Sequence, residues 1–438
     1  MQDEIRKFYQ SFSGKRAEPL EQDDPRYVPL LEEHPGIDPI LKLWKRIDLA
    51  ESESVHLLTG YRGNGKSTEL KRLKKLLEDE SQCTVFLVDM FDYVFMTKPI
   101  EISDFILSLM AALSSLTEKQ TGFAGLTSFV KDRWEKFVNF LNSEIEIDNI
   151  DIKLPVIDLG ARLKTDPLFK ERIQKYYEGR ITRLISEANK FVASLVEKIQ
   201  DGNQDHKVVL LVDSLEQLRG VGKDAKDVHD SVVELFSGQA RNLSFSRLHI
   251  VYTIPPYLQV LAPNLGRTLG GYPVTKWPNI HVRNKAGKSD ETGLNLMKRL
   301  VEKRFPAWSA VISLDLIYKF AECSGGDIRN FFRLLREAAI SLMIAREKNN
   351  DAILTAQMVD RVIQQLKNEL LPIAEEDARW LAKIHESKDP SLRNVNSSPD
   401  LARFLDCNLI MNYLNGEEWC DVHPLLVDEI MKPCKEKD

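Results

Sequence analysis

Cysteine is scarce in this sequence and is not arranged for bridging or metal binding. Cys83, Cys323, Cys407, Cys420 and Cys434 are spread over 438 residues. Their number is odd, and no pair has the spacing of a zinc ligand set or a disulfide framework, so free thiols in a reducing compartment are expected. Long apolar runs are missing too. None approaches the roughly 20 residues of a membrane span. The opening "MQDEIRKFYQ" lacks the apolar centre of a signal peptide. A cytoplasmic location and no membrane contact are therefore expected. Excess positive charge is absent as well. Sixty Lys and Arg stand against 66 Asp and Glu, a formal net charge of −6, so the protein as a whole is not built to coat nucleic acid. Neither internal repeats nor low-complexity tracts occur. What remains is an ordinary globular composition, long enough for about three domains.

Against this plain background one stretch stands out. "TGYRGNGKSTELKRL" contains Gly60-x-x-x-x-Gly65-Lys66-Ser67, a phosphate-binding (Walker A) loop. Its flanks supply the required context. Val55, Leu57 and Leu58 form a short apolar run before it, as a buried parallel strand does. Leu70, Leu73, Leu76 and Leu77 recur after it at helical spacing. In such a loop, glycines let backbone N–H groups turn inward onto phosphate oxygens, and the helix N-terminus adds partial positive charge. The candidate nucleotide-binding residues are Gly60, Tyr61, Arg62, Gly63, Asn64, Gly65, Lys66, Ser67 and Thr68. Lys66 is placed to reach the β- and γ-phosphates, and Ser67 to bind Mg²⁺.

A second motif lies in "HKVVLLVDSLEQL". Val208–Val212 is continuously apolar, as a strand buried on both faces would be, and Asp213 ends it. That is the edge at which open α/β sheets bind ligands. With the loop it forms the second half of a P-loop ATPase, in which Asp213 holds Mg²⁺. Glu216 is either the general base for the attacking water or a helix-start carboxylate complementing the dipole.

Three further pieces resemble AAA+ and related signal-transduction (STAND) ATPases. "RLHIVYTIPPYL" looks like a sensor-1 strand, in which Thr253 would lie near the γ-phosphate. "PPYLQVLAPNLGR" predicts a helix ending near Gly266, with a fifth strand in "GYPVTKWPNIHV". Arg267 then falls where an AAA+ arginine finger stands, though a helix-terminal cation would fall there too. "ECSGGDIRNFFRLLREAA" resembles the sensor-2 motif of the helical lid, with Asp327 as N-cap, Arg329 on the γ-phosphate, and Arg333 and Arg336 on roughly that face. Tyr27, Val28 and Ile37 sit where the family places its adenine-binding segment. Ser214 stands after Asp213 where the family has Glu, which suits a slow switch better than fast turnover.

The resemblance spans roughly residues 25–370, and by its lid and wing it is nearest to origin-recognition-like and STAND proteins. It implies an α/β fold: a P-loop parallel sheet flanked by helices, a helical insertion, an α-helical lid and a small winged-helix α+β domain. The expected boundaries are 1–24 for a lead-in and 25–290 for the ATPase core, with a helical and β-hairpin insertion at about 97–205. The lid follows at 291–370 and the winged-helix-like domain at 371–438. In the insertion, "DFILSLMAALSSL" and "SFVKDRWEKFVNFL" predict helices. The alternation of Ile145, Ile147, Ile150, Ile152 and Leu154 predicts a hairpin, and "DPLFKERIQKYYEGRITRLISEANKFVASLVEKIQ" predicts one long amphipathic helix. In the last domain, "NLIMNYLNGEEWCDVHPLL" predicts two strands about Asn415-Gly416. From Glu375 onward eight Lys and Arg face fourteen Asp and Glu. DNA binding needs cations, so this acidic region suits protein docking better, with Arg393 and Arg403 as a small local patch. His385 and His423, near aromatics, are expected to be structural.

The function so implied is an Mg-dependent, slow or partner-stimulated ATPase that uses ATP and Mg²⁺. It would act as a regulatory switch coupling nucleotide state to lid and wing movement and to a partner protein or self-assembly, as in bacterial defence or signalling. The alternative is an ATP-dependent DNA-associated loader or a replication or transposition accessory ATPase. A scaffold that binds ATP without turnover is the third reading.

Overall fold

The apolar runs become parallel strands. β1 (Val55–Thr59), β2 (Thr84–Asp89), β3 (Val208–Asp213), β4 (Leu248–Ile254) and β5 (Thr275–Lys276) form one sheet in the order β2-β3-β4-β1-β5. All pairings in it are parallel. Every residue of β1, β3 and β4 is buried, as strands covered on both faces require. Because the strands are parallel, the ends of β1, β3 and β4 share one edge. The molecule is a computed structural model that describes residues 2–13, 18–31, 37–119, 126–146, 158–220, 222, 225–390, 397–415 and 417–432.

The chain divides into two compact units. One comprises Met1–Asp38, Gly60–Thr68 and Trp277–Asp438; the other comprises Pro39–Thr59 and Glu69–Lys276. The second holds the sheet and the insertion. The insertion departs from expectation in two places. The segment read as a hairpin is helical where it is described: Ile145 lies in the helix Leu126–Glu146, and its far end forms the helix Asp158–Thr165. Once nucleated, a helix extends at one hydrogen bond per residue, which carries it through Ile145. Ile147, Ile150, Ile152 and Leu154 lie outside the described residues. The long amphipathic helix is two, Pro167–Tyr177 and Ile181–Gln200. The break falls at Gly179, whose φ of +73° ends a helix cheaply only for glycine. Asp166 caps the first piece by accepting from the Phe169 N–H at 3.0 Å. The expected helix before β5 is likewise two single turns, Leu258–Leu261 and Leu265–Thr268, with Pro263 between them unable to donate a helical hydrogen bond.

In the other unit the lid helices are Glu291–Arg304, Leu314–Ser324, Ile328–Lys348 and Ala356–Glu369. Their apolar faces close on one core that includes Met297, Phe320, Phe331, Leu335 and Val359. The N-terminal segment is more than a lead-in. Gln2–Phe12 is a helix whose Ile5, Phe8 and Phe12 are buried in that same core. Phe8 meets Phe305 edge-on at 5.5 Å, and Phe12 lies 5.3 Å from Phe332. The C-terminal region has helices Glu375–Ser387 and Ser398–Asp406, then the antiparallel pair β6 (Ile410–Leu414) and β7 (Glu418–Val422). Tyr413 and Trp419 are directly opposed and stacked at 4.5 Å, a favourable cross-strand pair. The expected hairpin is therefore present, although Gly416 lies outside the described residues, as do Arg393 and Cys434. Among the described residues no helix is long and apolar enough to cross a membrane.

Candidate nucleotide site

The loop after β1 turns through two left-handed glycines and is held in place by its neighbours. Gly63 and Gly65 both have a φ of +87°, a conformation that side-chain-bearing residues adopt only at a cost. Lys66 is 3 % exposed and donates from Nζ to the Tyr61 carbonyl at 2.6 Å. Ser67 is half-buried at the start of the helix Lys66–Asp79. The Thr68 hydroxyl accepts from the Leu20 N–H at 3.1 Å, which ties the N-terminal segment to the loop. Trp277 Nε1 donates to the Asn64 carbonyl at 2.8 Å.

Two parts of the same unit grip this loop. The first is the lid. Asp327 caps the helix Ile328–Lys348 by accepting from the Asn330 N–H at 2.9 Å, and this cap sets Arg329 against the loop. A Cβ on Gly63 would stand 2.5 Å from Arg329 Cβ and 2.8 Å from its Nε, yet Arg329 as a whole is exposed. Its stem lies on the loop and it is not sequestered. Asp327 is 2 % exposed. Burial pushes its carboxyl up to about 6 against the opposing pull of Arg329 and Lys66. Arg333 does not join Arg329, because it forms a two-pronged ion pair with Glu369.

The second grip comes from the C-terminal region. Arg62 Nη2 meets Asp406 Oδ1 at 2.8 Å, with the two side chains 16 % and 7 % exposed. Tyr61 is buried, and its phenol is pushed up by that burial, with Cys420, Tyr413 and Glu418 acting in the same direction. The Tyr413 hydroxyl in turn donates to the Gly325 carbonyl, beside the lid cap, at 2.9 Å. Loop, cap and hairpin are thus one packed assembly.

In the sheet unit, Asp213 ends β3 and accepts from the Ser214 N–H at 2.7 Å through Oδ1. Ser214 has a φ of +70°. The chain turns there into the short 3₁₀ segment Leu215–Gln217, which carries Glu216, itself 4 % exposed. Thr253, fully buried on β4, accepts from the Leu215 N–H at 3.0 Å and donates to the Val212 carbonyl at 3.2 Å. Asp213, Glu216 and Thr253 therefore stand together at one sheet edge. Arg267 is exposed on the single helical turn Leu265–Thr268. Val28 is 4 % exposed and lies in the lid core, with Tyr27 beside it half-buried. Ile37 is half-buried. His385 pairs through Nδ1 with Asp421 at 2.7 Å, and buried His423 caps the next turn through Nδ1. No group of three or more His, Cys, Asp or Glu poised for a metal occurs among the described residues.

Several features of this loop and sheet edge escape a sequence reading. Asp89 is in register with Asp213 across β2 and β3. The signal was available, since "TVFLVD" and "VVLLVD" are near copies that each end in Asp. The Arg62–Asp406 and Trp277–Asn64 contacts had no signal, because each joins residues more than two hundred positions apart.

No protein-family model matches the chain, and no curated protein matches it by sequence. Solved structures do resemble it over nearly their whole length. Cdc6p from Pyrobaculum aerophilum is 13 % identical with a TM-score of 0.40, the match covering 98 % of each chain. The Aeropyrum pernix ORC2 protein in its ADP form is 11 % identical with a TM-score of 0.42, again over 98 % of each. The Aeropyrum pernix ORC1 protein in complex with DNA is 12 % identical with a TM-score of 0.37 over 94 % of each. These similar structures are of the origin-recognition-like kind that the sequence resembles.

Proposed function

We propose that the protein is an ATP-binding and ATP-hydrolysing molecular switch of the AAA+ type, whose phosphate loop passes nucleotide state to the lid and the C-terminal helix-and-hairpin region. The observation that carries this reading is the double grip on the loop, by Arg329 at Gly63 and by Asp406 at Arg62. A phosphate on the loop competes for Lys66, which otherwise donates to Tyr61, and Tyr61 is the residue buried near the hairpin. A shift there is felt by lid and hairpin together, which biases the assembly between two arrangements.

In this reading Gly60–Thr68 cradles the phosphates, Lys66 and Arg329 offset their charge, and Glu216 takes the proton of the attacking water. By the family resemblance, Ser67 and Asp213 would hold Mg²⁺, a hard cation suited to hydroxyl and carboxylate oxygens. When bound, Mg²⁺ supplies charge neutralisation on the phosphates. Arg267 as a finger toward a second copy, and Tyr27 and Val28 near the adenine, are assigned by resemblance alone.

The client of the switch is either DNA or a protein. The DNA-associated loader accords with the names of the similar structures. Against it, cations of the C-terminal region are committed: Arg403 pairs with Asp377, Arg379 with Glu375 and Lys388 with Asp421. Two measurements test the proposal. Hydrogen exchange in β6 and β7 should differ between ATP and ADP, and Asp406→Ala should erase most of that difference while speeding exchange in the hairpin. Identical exchange in both nucleotides would end the coupling reading. Turnover measured with duplex DNA separates the clients: DNA stimulation that fades from about 50 to 200 mM salt identifies the loader, and its absence leaves the protein partner.

A further inference from the structure

We infer that Thr253 acts as a strut that positions Glu216 for hydrolysis and makes no contact with the γ-phosphate. The inference rests on the ATPase reading and deepens it. A threonine hydroxyl has one proton to donate and two lone pairs. Here the proton goes to the Val212 carbonyl at 3.2 Å, and one lone pair takes the Leu215 N–H at 3.0 Å. The side chain is 0 % exposed. A phosphate oxygen, itself an acceptor, needs a donor, and Thr253 has none left.

What the hydroxyl holds is the turn after β3. That turn leaves the strand through Ser214 at a φ of +70°, a conformation unfavourable for a residue with a side chain. It persists because it is tied at several points. Asp213 Oδ1 takes the Ser214 N–H. Thr253 takes the next N–H, that of Leu215, and its bond to Val212 pins the strand end on the other side of Asp213. Buried Tyr257 donates to the Leu218 carbonyl at 2.8 Å, and the Arg219 N–H reaches the Met96 carbonyl at 2.9 Å. Glu216 sits between the Thr253 and Tyr257 ties. Glu216 is carried by this turn, three residues past Asp213. Thr253 is thus a positioning residue acting through the backbone of Leu215.

The test uses Thr253→Val, which keeps the shape and removes the hydroxyl, and Thr253→Ser, which keeps the hydroxyl. Thr253→Val should lower kcat about 10- to 100-fold, as small misplacements of a reacting group do. KM and the ratio of ATP to ADP affinity should stay within about twofold, and Thr253→Ser should restore turnover. Amide exchange at Leu215 should be faster in Thr253→Val and unchanged in Thr253→Ser. A change in the ATP-to-ADP affinity ratio on Thr253→Val would overturn the inference in favour of a phosphate contact. Unchanged Leu215 exchange would overturn it as a strut. If the native protein binds ATP without turnover, the hydrolysis reading fails by itself, and the exchange result still decides whether the strut exists.

Discussion

Gly63→Ala should unfold several degrees below the native protein and lose ATP affinity by at least about 100-fold, whereas Gly65→Ala should show a much smaller shift in the nucleotide-free protein. Both glycines have a φ of +87°, so each substitution carries a backbone cost of roughly 1–2 kcal/mol. They differ in what a methyl group would meet. At Gly63 it would lie 2.5 Å from Arg329 Cβ, closer than real carbons approach, while at Gly65 nothing stands within 4 Å. The overlap at Gly63 must push the loop away from the lid helix. For a unit of 150–250 residues each kcal/mol lowers the transition by about 2–4 °C, and about 3 kcal/mol of lost binding is roughly 100-fold in affinity. Thermal unfolding of both variants, with and without ATP and Mg²⁺, checks this. Equal transition temperatures without nucleotide would show that Arg329 does not pack on the loop.

That contrast also marks where the sequence stops being informative. The loop, the strands and the carboxylate at the end of β3 were legible because each is local: a glycine pattern, an apolar run, a terminal Asp. The lid helices were expected from the resemblance carried by the motif at residues 325–329 and from the Asp327 cap. In the insertion, Ile145 alone cannot tell a strand from a helix end, and the break at Gly179 sits inside an otherwise continuous apolar period. The N-terminal helix was missed as part of the lid because Ile5, Phe8 and Phe12 find their partners near Phe305 and Phe332, hundreds of residues away. The sequence offers Thr253 as polar and near the strand end; only the geometry shows that its proton is already given to Val212. Likewise nothing local to Arg62 or Asp406 announces their pairing.

The buried carboxyl of Asp327, near Arg329 and Lys66, has a pH signature. Asp327 is 2 % exposed, and burial raises its carboxyl from 3.8 to about 6 despite the two cations. The folded state therefore holds this proton more tightly than the unfolded chain does. Below about pH 4 both states are protonated and the group is neutral in the balance. As pH rises from about 4 to 6 the unfolded chain ionises first, so the native state loses stability across that window. The loss approaches about 3 kcal/mol at pH 7. Asp327→Asn keeps an oxygen to accept from Asn330 N–H and has no charge to bury. It should be more stable than the native protein at pH 8, by up to about that amount, and its stability should be flatter between pH 4 and 6. The same carboxylate, when ionised, would repel phosphates bound on the loop. Native ATP affinity should therefore weaken from about pH 5 to 7 relative to that of Asp327→Asn, because phosphate binding draws a proton onto Asp327 by linkage. Calorimetry of ATP binding in buffers of different ionisation enthalpy measures that proton directly. Parallel affinity curves for the two proteins, with the same proton count, would place Asp327 outside the reach of the phosphates and leave it only the task of capping the lid helix.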